Sequence, residues 1–100
     1  MTGHWSSAEK WEVMAQIQII LQLQTGPKNF PEMLDIFNVT GVQQENQLKS
    51  RLAILEEKGL VQSQDDLISL DTDLQVELAE LNQAEATKRI MWYLKNEIEE

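Results

Sequence analysis

Between positions 43 and 51 the chain places Gln43, Gln44, Asn46, Gln47, Lys49, Ser50 and Arg51. A carboxamide carries a donor beside an acceptor, which matches the edge of adenine, while lysine and arginine match guanine or a phosphate. That is the chemistry of recognition, not of bond-making. Catalysis finds no support elsewhere. His4 is the only histidine and cysteine is absent, so there is no thiolate zinc set, no CxxC redox pair and no disulfide framework. No Ser, Asp or Glu pattern near His4 completes a triad or a metal set, and no glycine-rich phosphate loop is present. Asp65 and Asp66 are adjacent on what reads as an exposed hairpin tip. The expectation is a non-enzyme with no cofactor and no metal. The plain alternative for residues 43–51 is a solvated polar face on a core helix.

To act as a recognition surface this stretch must be helical. Leu48, Leu52 and Leu55 fall at i, i+4 and i+7, which makes one face apolar, and Gly59 follows the last charged turn, where a left-handed residue ends a helix. The spacing predicts a helix over roughly Gln44 to Lys58. Leu60-Val61 and Leu67-Ile68-Ser69-Leu70 then read as the two sides of a hairpin around Gln64-Asp65-Asp66, with Asp71-Thr72-Asp73 capping a later helix.

Upstream, Ser6-Ser7-Ala8-Glu9 is a capping box that opens a first helix. It runs to Gln24 and is ended by Gly26-Pro27. Residues 16–24 also alternate like a strand, but so long a segment without a turn signal favours a helix, and Trp11, Met14, Ile17 and Leu21 keep helical spacing. Val13, Ile20 and Leu23 widen the apolar face beyond one stripe, which predicts a helix that touches both its own core and a partner. Asn29 caps a short second helix with Pro31 in its first turn, carrying Leu34 and Phe37 inward, and residues 38–42 form the turn. From Asp73 onward Leu74, Leu78 and Leu81 make a further apolar edge. Ala84, Ala86, Ile90, Met91, Trp92, Tyr93, Leu94 and Ile98 follow beyond a bend near Asn82, and this tail is expected to pack on the first helix of its own chain and of a second copy.

This order of elements resembles the winged helix-turn-helix regulators of the PadR and MarR type. The resemblance is carried by residues 46–61, Asn-Gln-Leu-Lys-Ser-Arg-Leu-Ala-Ile-Leu-Glu-Glu-Lys-Gly-Leu-Val, and more weakly by residues 67–73, Leu-Ile-Ser-Leu-Asp-Thr-Asp. Residues 25–34, Thr-Gly-Pro-Lys-Asn-Phe-Pro-Glu-Met-Leu, are similar to the PadR-type turn between the first two helices. Together the matches cover roughly Trp11 to Leu81. The Leu-Glu-Glu-Lys-Gly-Leu-Val ending is common to many winged-helix families, so it bears on the fold more than on the subfamily.

The resemblance implies a mainly α winged helix-turn-helix with a short two-stranded β-wing and a C-terminal dimerisation helix. It further implies one domain over residues 1–100, with its core at 8–71 and a C-terminal helical segment at 72–100. A homodimeric transcriptional regulator is the implied function, its third helix lying in the major groove of double-stranded DNA. The contacts would come from Lys28, Gln43, Gln44, Asn46, Gln47, Lys49 and Ser50, with Arg51 near the phosphates. The dimer would close through Trp11, Met14 and Leu21 of the first helix and Ile90, Trp92 and Leu94 of the last. PadR-like dimers resemble proteins that hold flat aromatic molecules between such tryptophans, so a small aromatic effector between Trp11 and Trp92 is a further expectation, against the more frequent use of tryptophan in packing.

Charge opposes the DNA reading. The net charge is −9, but Lys10 and Lys28 balance Glu9 and Glu12, and Lys49, Arg51 and Lys58 balance Glu45, Glu56 and Glu57. The candidate reading head is therefore less repulsive to DNA than the whole chain. Acid accumulates at Glu32 and Asp35, at Asp65 and Asp66, and over residues 71–100. A wing tip without Lys or Arg that carries two aspartates repels phosphate. The alternative function is thus a winged-helix protein–protein interaction module that has lost DNA binding, its acidic face of Glu77, Glu80, Glu85 and Glu97 meeting a basic partner or mimicking nucleic acid.

The longest apolar run, Ile17 to Leu23, is broken by Gln18 and Gln22 and is far short of a bilayer span. With no visible signal peptide, a soluble cytoplasmic protein with no membrane partner is expected. A chain of 100 residues with 42% hydrophobic composition buries only about 60 to 65 per cent of its unfolded surface. Dimerisation is the usual remedy.

Overall fold

Helices and short strands alternate as α1 (Ser7–Gln24), β1 (Lys28–Asn29), α2 (Phe30–Ile36), α3 (Val42–Glu57), β2 (Val61–Gln64), β3 (Leu67–Leu70), α4 (Thr72–Ala79) and α5 (Gln83–Glu99). The structure, a computed structural model, describes residues 7–99 and the side chains of residues 8–94. His4, Trp5, Ser6 of the expected capping box, and the Glu97 and Ile98 side chains lie outside the described residues.

Local chemistry sets the boundaries. Asn29 caps α2 through a reciprocal pair: its side-chain oxygen accepts from the Glu32 backbone N–H, and the Glu32 carboxylate accepts from the Asn29 N–H, both at 2.8 Å. Asn38 leaves α2 with φ of +53°. Asparagine is one of the few side chains that tolerates that region. At the end of α3, Gly59 has φ of +80°, the Leu60 N–H reaches the Leu55 carbonyl, and the Gly59 N–H reaches the Glu56 carbonyl, each at 3.0 Å. This is the Schellman arrangement, which satisfies carbonyls that the helix end would otherwise strand. Asp71 caps α4 by accepting from the Asp73 and Leu74 N–H groups, and Asn82 with Glu85 forms the same reciprocal cap at the start of α5. The C-terminal segment is thus two helices rather than one bent helix.

β2 and β3 pair antiparallel, with Gln64 opposite Leu67. Asp65 and Asp66 both have positive φ, +53° and +68°, which is the signature of a two-residue type I′ turn. The expected two-stranded wing is a three-stranded antiparallel sheet in the order β1-β3-β2. The added strand pairs Lys28 with Ile68 and Asn29 with Leu67. Two residues are too few to show an alternating pattern, so nothing in the sequence marks this strand.

One apolar cluster joins all the helices. α1 contributes Val13, Ile17, Ile19, Ile20 and Leu23, α3 contributes Leu48 and Leu55, α4 contributes Leu74 and Leu78, and α5 contributes Ala86, Ile90 and Leu94. In α2 the fully buried residue is Met33, while Leu34 and Phe37, expected to point inward, are only partly buried. α5 packs along α1 through its Ala86, Ile90, Leu94 row at i, i+4 and i+8. Burying Ile90 and Leu94 contributes about 3 to 6 kcal/mol together. An exposed ion pair contributes at most about 1 kcal/mol, so apolar burial rather than charge docks α5. The Gln24 amide donates to the Leu78 carbonyl at 2.9 Å, and the Gln75 amide donates back to the Gln24 carbonyl at 3.4 Å, tying the end of α1 to α4. Among the described residues no helix is long and apolar enough to cross a membrane.

Candidate nucleic-acid interface

With Leu48 and Leu55 of α3 turned into the core, its opposite side carries Gln43, Asn46, Ser50, Ala53 and Glu57 at helical spacing, all exposed. Gln43, Asn46, Gln47, Ser50 and Arg51 line one open cleft of about 380 Å³, joined by Ile54 and by Glu12 of α1. The cleft gathers five of the residues expected to contact DNA. Gln44 is exposed as well, but its side-chain oxygen accepts from the Thr40 N–H at 3.2 Å and so closes the turn before α3.

The cations are already engaged. Arg51 places Nε 3.1 Å from both carboxylate oxygens of Glu12. Lys49 sits 3.5 Å from the Glu45 carboxylate one helical turn back and lies over the Phe30 ring, 5.6 Å from its centre. Both Lys49 contacts are weak where water competes. Lys28, on β1, donates through Nζ to the Thr25 hydroxyl at 2.9 Å and the Gly26 carbonyl at 3.1 Å. These acceptors are uncharged, so among the described residues no carboxylate offsets its charge.

At the tip of the β2–β3 hairpin, Ser63, Gln64, Asp65 and Asp66 face Asn29, Phe30, Pro31 and Ile68 across a second open cleft, of about 570 Å³. The two aspartates are exposed there. Among the described residues no cluster of His, Cys, Asp or Glu could hold a metal ion.

The residues expected at a dimer interface divide. Trp11 is 75% exposed, Met14 55% and Trp92 53%, with Met91 beside it also exposed. Ile90 and Leu94, in contrast, are fully buried in their own chain, and Leu21 packs on the same core. The intramolecular core accounts for these three, which removes Ile90 and Leu94 as partner-facing residues. The i, i+4, i+8 row of Ala86, Ile90 and Leu94 was the available signal, because it selects the face of α5 that points away from Trp92. Trp92 meets Tyr93 edge to face at 5.1 Å. The Tyr93 hydroxyl donates to the Glu77 carboxylate at 2.6 Å, and that carboxylate also pairs with Arg89 at 3.1 Å. The bond to Glu77 raises the Tyr93 pKa above its usual value of 10.0, with burial and the Glu77 charge acting in the same direction and Arg89 opposing them. Neither Trp11 nor Trp92 lines the two clefts described above.

Two site residues were not legible as such, Glu12 and Gln16. Gln16 is 6% exposed, and its amide donates to Glu12 at 3.1 Å. A glutamine inside the apolar face formed by Val13, Ile17 and Ile20, one turn after a glutamate, is the signal that marks them. No family model, curated protein or solved structure matches the chain.

Proposed function

We propose that this chain is a winged-helix protein acting as a homodimeric, DNA-binding transcriptional regulator of PadR or MarR kind, with α3 offered to the major groove. The observation that carries the reading is the cleft along α3, where carboxamides, a hydroxyl and Arg51 converge on one exposed surface. Asn and Gln there suit adenine edges. Trp11, Met14, Met91 and Trp92, exposed on α1 and α5, support closure of the dimer by a second copy, and dimer geometry then sets the half-site spacing. A cytoplasmic location goes with this function.

Replacing Lys49 and Arg51 together by alanine tests the reading. Retention of duplex DNA from immediately upstream of the protein's own coding sequence should weaken strongly, chiefly through loss of Lys49, with the far-UV spectrum unchanged. Intact retention would overturn it.

The wing-tip cleft favours a second reading. Asp65 and Asp66 beside Phe30 and Pro31 repel a phosphate but suit a basic, partly apolar protein segment, which makes the chain an interaction module. In that case the Lys49 and Arg51 substitutions are near neutral, and changes at Asp65 and Asp66 abolish partner binding.

A further inference from the structure

Glu12 belongs to α1 and Arg51 to α3, 39 positions apart, and both carboxylate oxygens sit 3.1 Å from the arginine Nε. Behind the carboxylate, the buried Gln16 amide donates to Oε2 at 3.1 Å. A buried amide left without an acceptor is costly. Gln16 therefore fixes the carboxylate in the position that receives Arg51. The pair is neither deep nor free: the Arg51 side chain is 26% exposed and that of Glu12 39%, and both line the cleft of α3.

We infer that Glu12, held by Gln16, is a built-in competitor for the anion that Arg51 would bind, so that α1 limits how tightly α3 can hold a phosphate. The inference rests on the DNA-binding reading and concerns the same site. A phosphate arriving at Arg51 must displace a carboxylate that is already in place, and it meets the charge of that carboxylate as it does so. Arg51 then adds little to binding while the Glu12 side chain is in place, and Lys28 and Lys49 remain as the effective phosphate contacts of each protomer.

The test is Glu12→Gln, which keeps the length of the side chain and an oxygen for the Gln16 amide but removes the charge. Glu56→Gln, a change of equal charge on the exposed side of α3, is the control. Affinity for duplex DNA at about 100 mM salt should rise about two- to fivefold per protomer for Glu12→Gln, the size of a partly exposed ion pair. Its logarithmic salt slope should steepen by about 0.9 for each protomer, and adding Arg51→Ala should cancel both gains. Unchanged or weaker binding, or a gain matched by Glu56→Gln, would overturn the inference while leaving the DNA reading standing. Should the native chain retain no DNA at all, that reading falls, and elution from heparin decides the inference. Later elution of Glu12→Gln than of Glu56→Gln sustains it; co-elution overturns it.

Discussion

Replacing the hairpin tip by Asp65→Asn with Asp66→Gly probes the turn and its charge together. Both aspartates hold positive φ, a region that costs an ordinary L-residue about 1 to 2 kcal/mol and costs Asp or Asn less. Asn-Gly is the pair that a type I′ turn prefers. Against the relief at position 66 stands the extra freedom that glycine gives the unfolded chain, about 0.4 to 1 kcal/mol. The balance is a gain of at most about 1 kcal/mol. For a domain of this size that raises Tm by up to about 8 °C. Urea denaturation with an unchanged slope is the assay, paired with Asp66→Val, which should lose about 1 to 2 kcal/mol because a β-branched residue is strained at positive φ. If the Asn-Gly variant were less stable than the native chain, or the valine variant equally stable, the turn would not be the one described. The same variant removes two negative charges from the tip, so DNA affinity should rise if the wing approaches a phosphate.

Further outcomes follow from other parts of the structure. Gly59→Ala forces a Cβ onto φ of +80° at the end of α3 and should destabilise the protein by about 1 to 2 kcal/mol, read by thermal denaturation. Because the folded-state pKa of Tyr93 is raised, its contribution to stability is fully present below about pH 10 and is lost as pH rises through the higher folded value. The stability difference between the native chain and Tyr93→Phe should accordingly shrink in alkaline denaturation series. Trp11→Glu combined with Met14→Lys changes two exposed side chains, so folding should shift by less than about 0.5 kcal/mol for each. The sedimenting species should fall from twice the chain mass to 11.5 kDa; a native chain already at 11.5 kDa would remove the dimer from the account.

Much of the fold was legible because its boundaries are written in single residues. Asn29, Gly59 and Asp71 each stop or start an element by a local hydrogen bond or a positive φ. What stayed hidden depends on distance along the chain. β1 exists only through its pairing with β3, which a two-residue segment cannot announce. The polar row on α3 was legible from its spacing, and the structure gathers most of it in one cleft. The state of its cations was not, because the partner of Arg51 lies 39 positions away on α1. On α5 the list of apolar residues was legible but not their division, since Ile90 and Leu94 fill the core while Met91 and Trp92 stay outside.

The most direct measurement is a salt titration of binding to duplex DNA from immediately upstream of the coding sequence, from about 50 to 200 mM, with the dimer established by sedimentation. With Lys28 and Lys49 of two protomers as the effective phosphate contacts, the plot of log affinity against log salt should fall with a slope of about −3.6. A dimer that retains no DNA at about 50 mM, where counterion release favours binding most over that range, would contradict the DNA-binding account and leave the acidic wing tip as the functional surface.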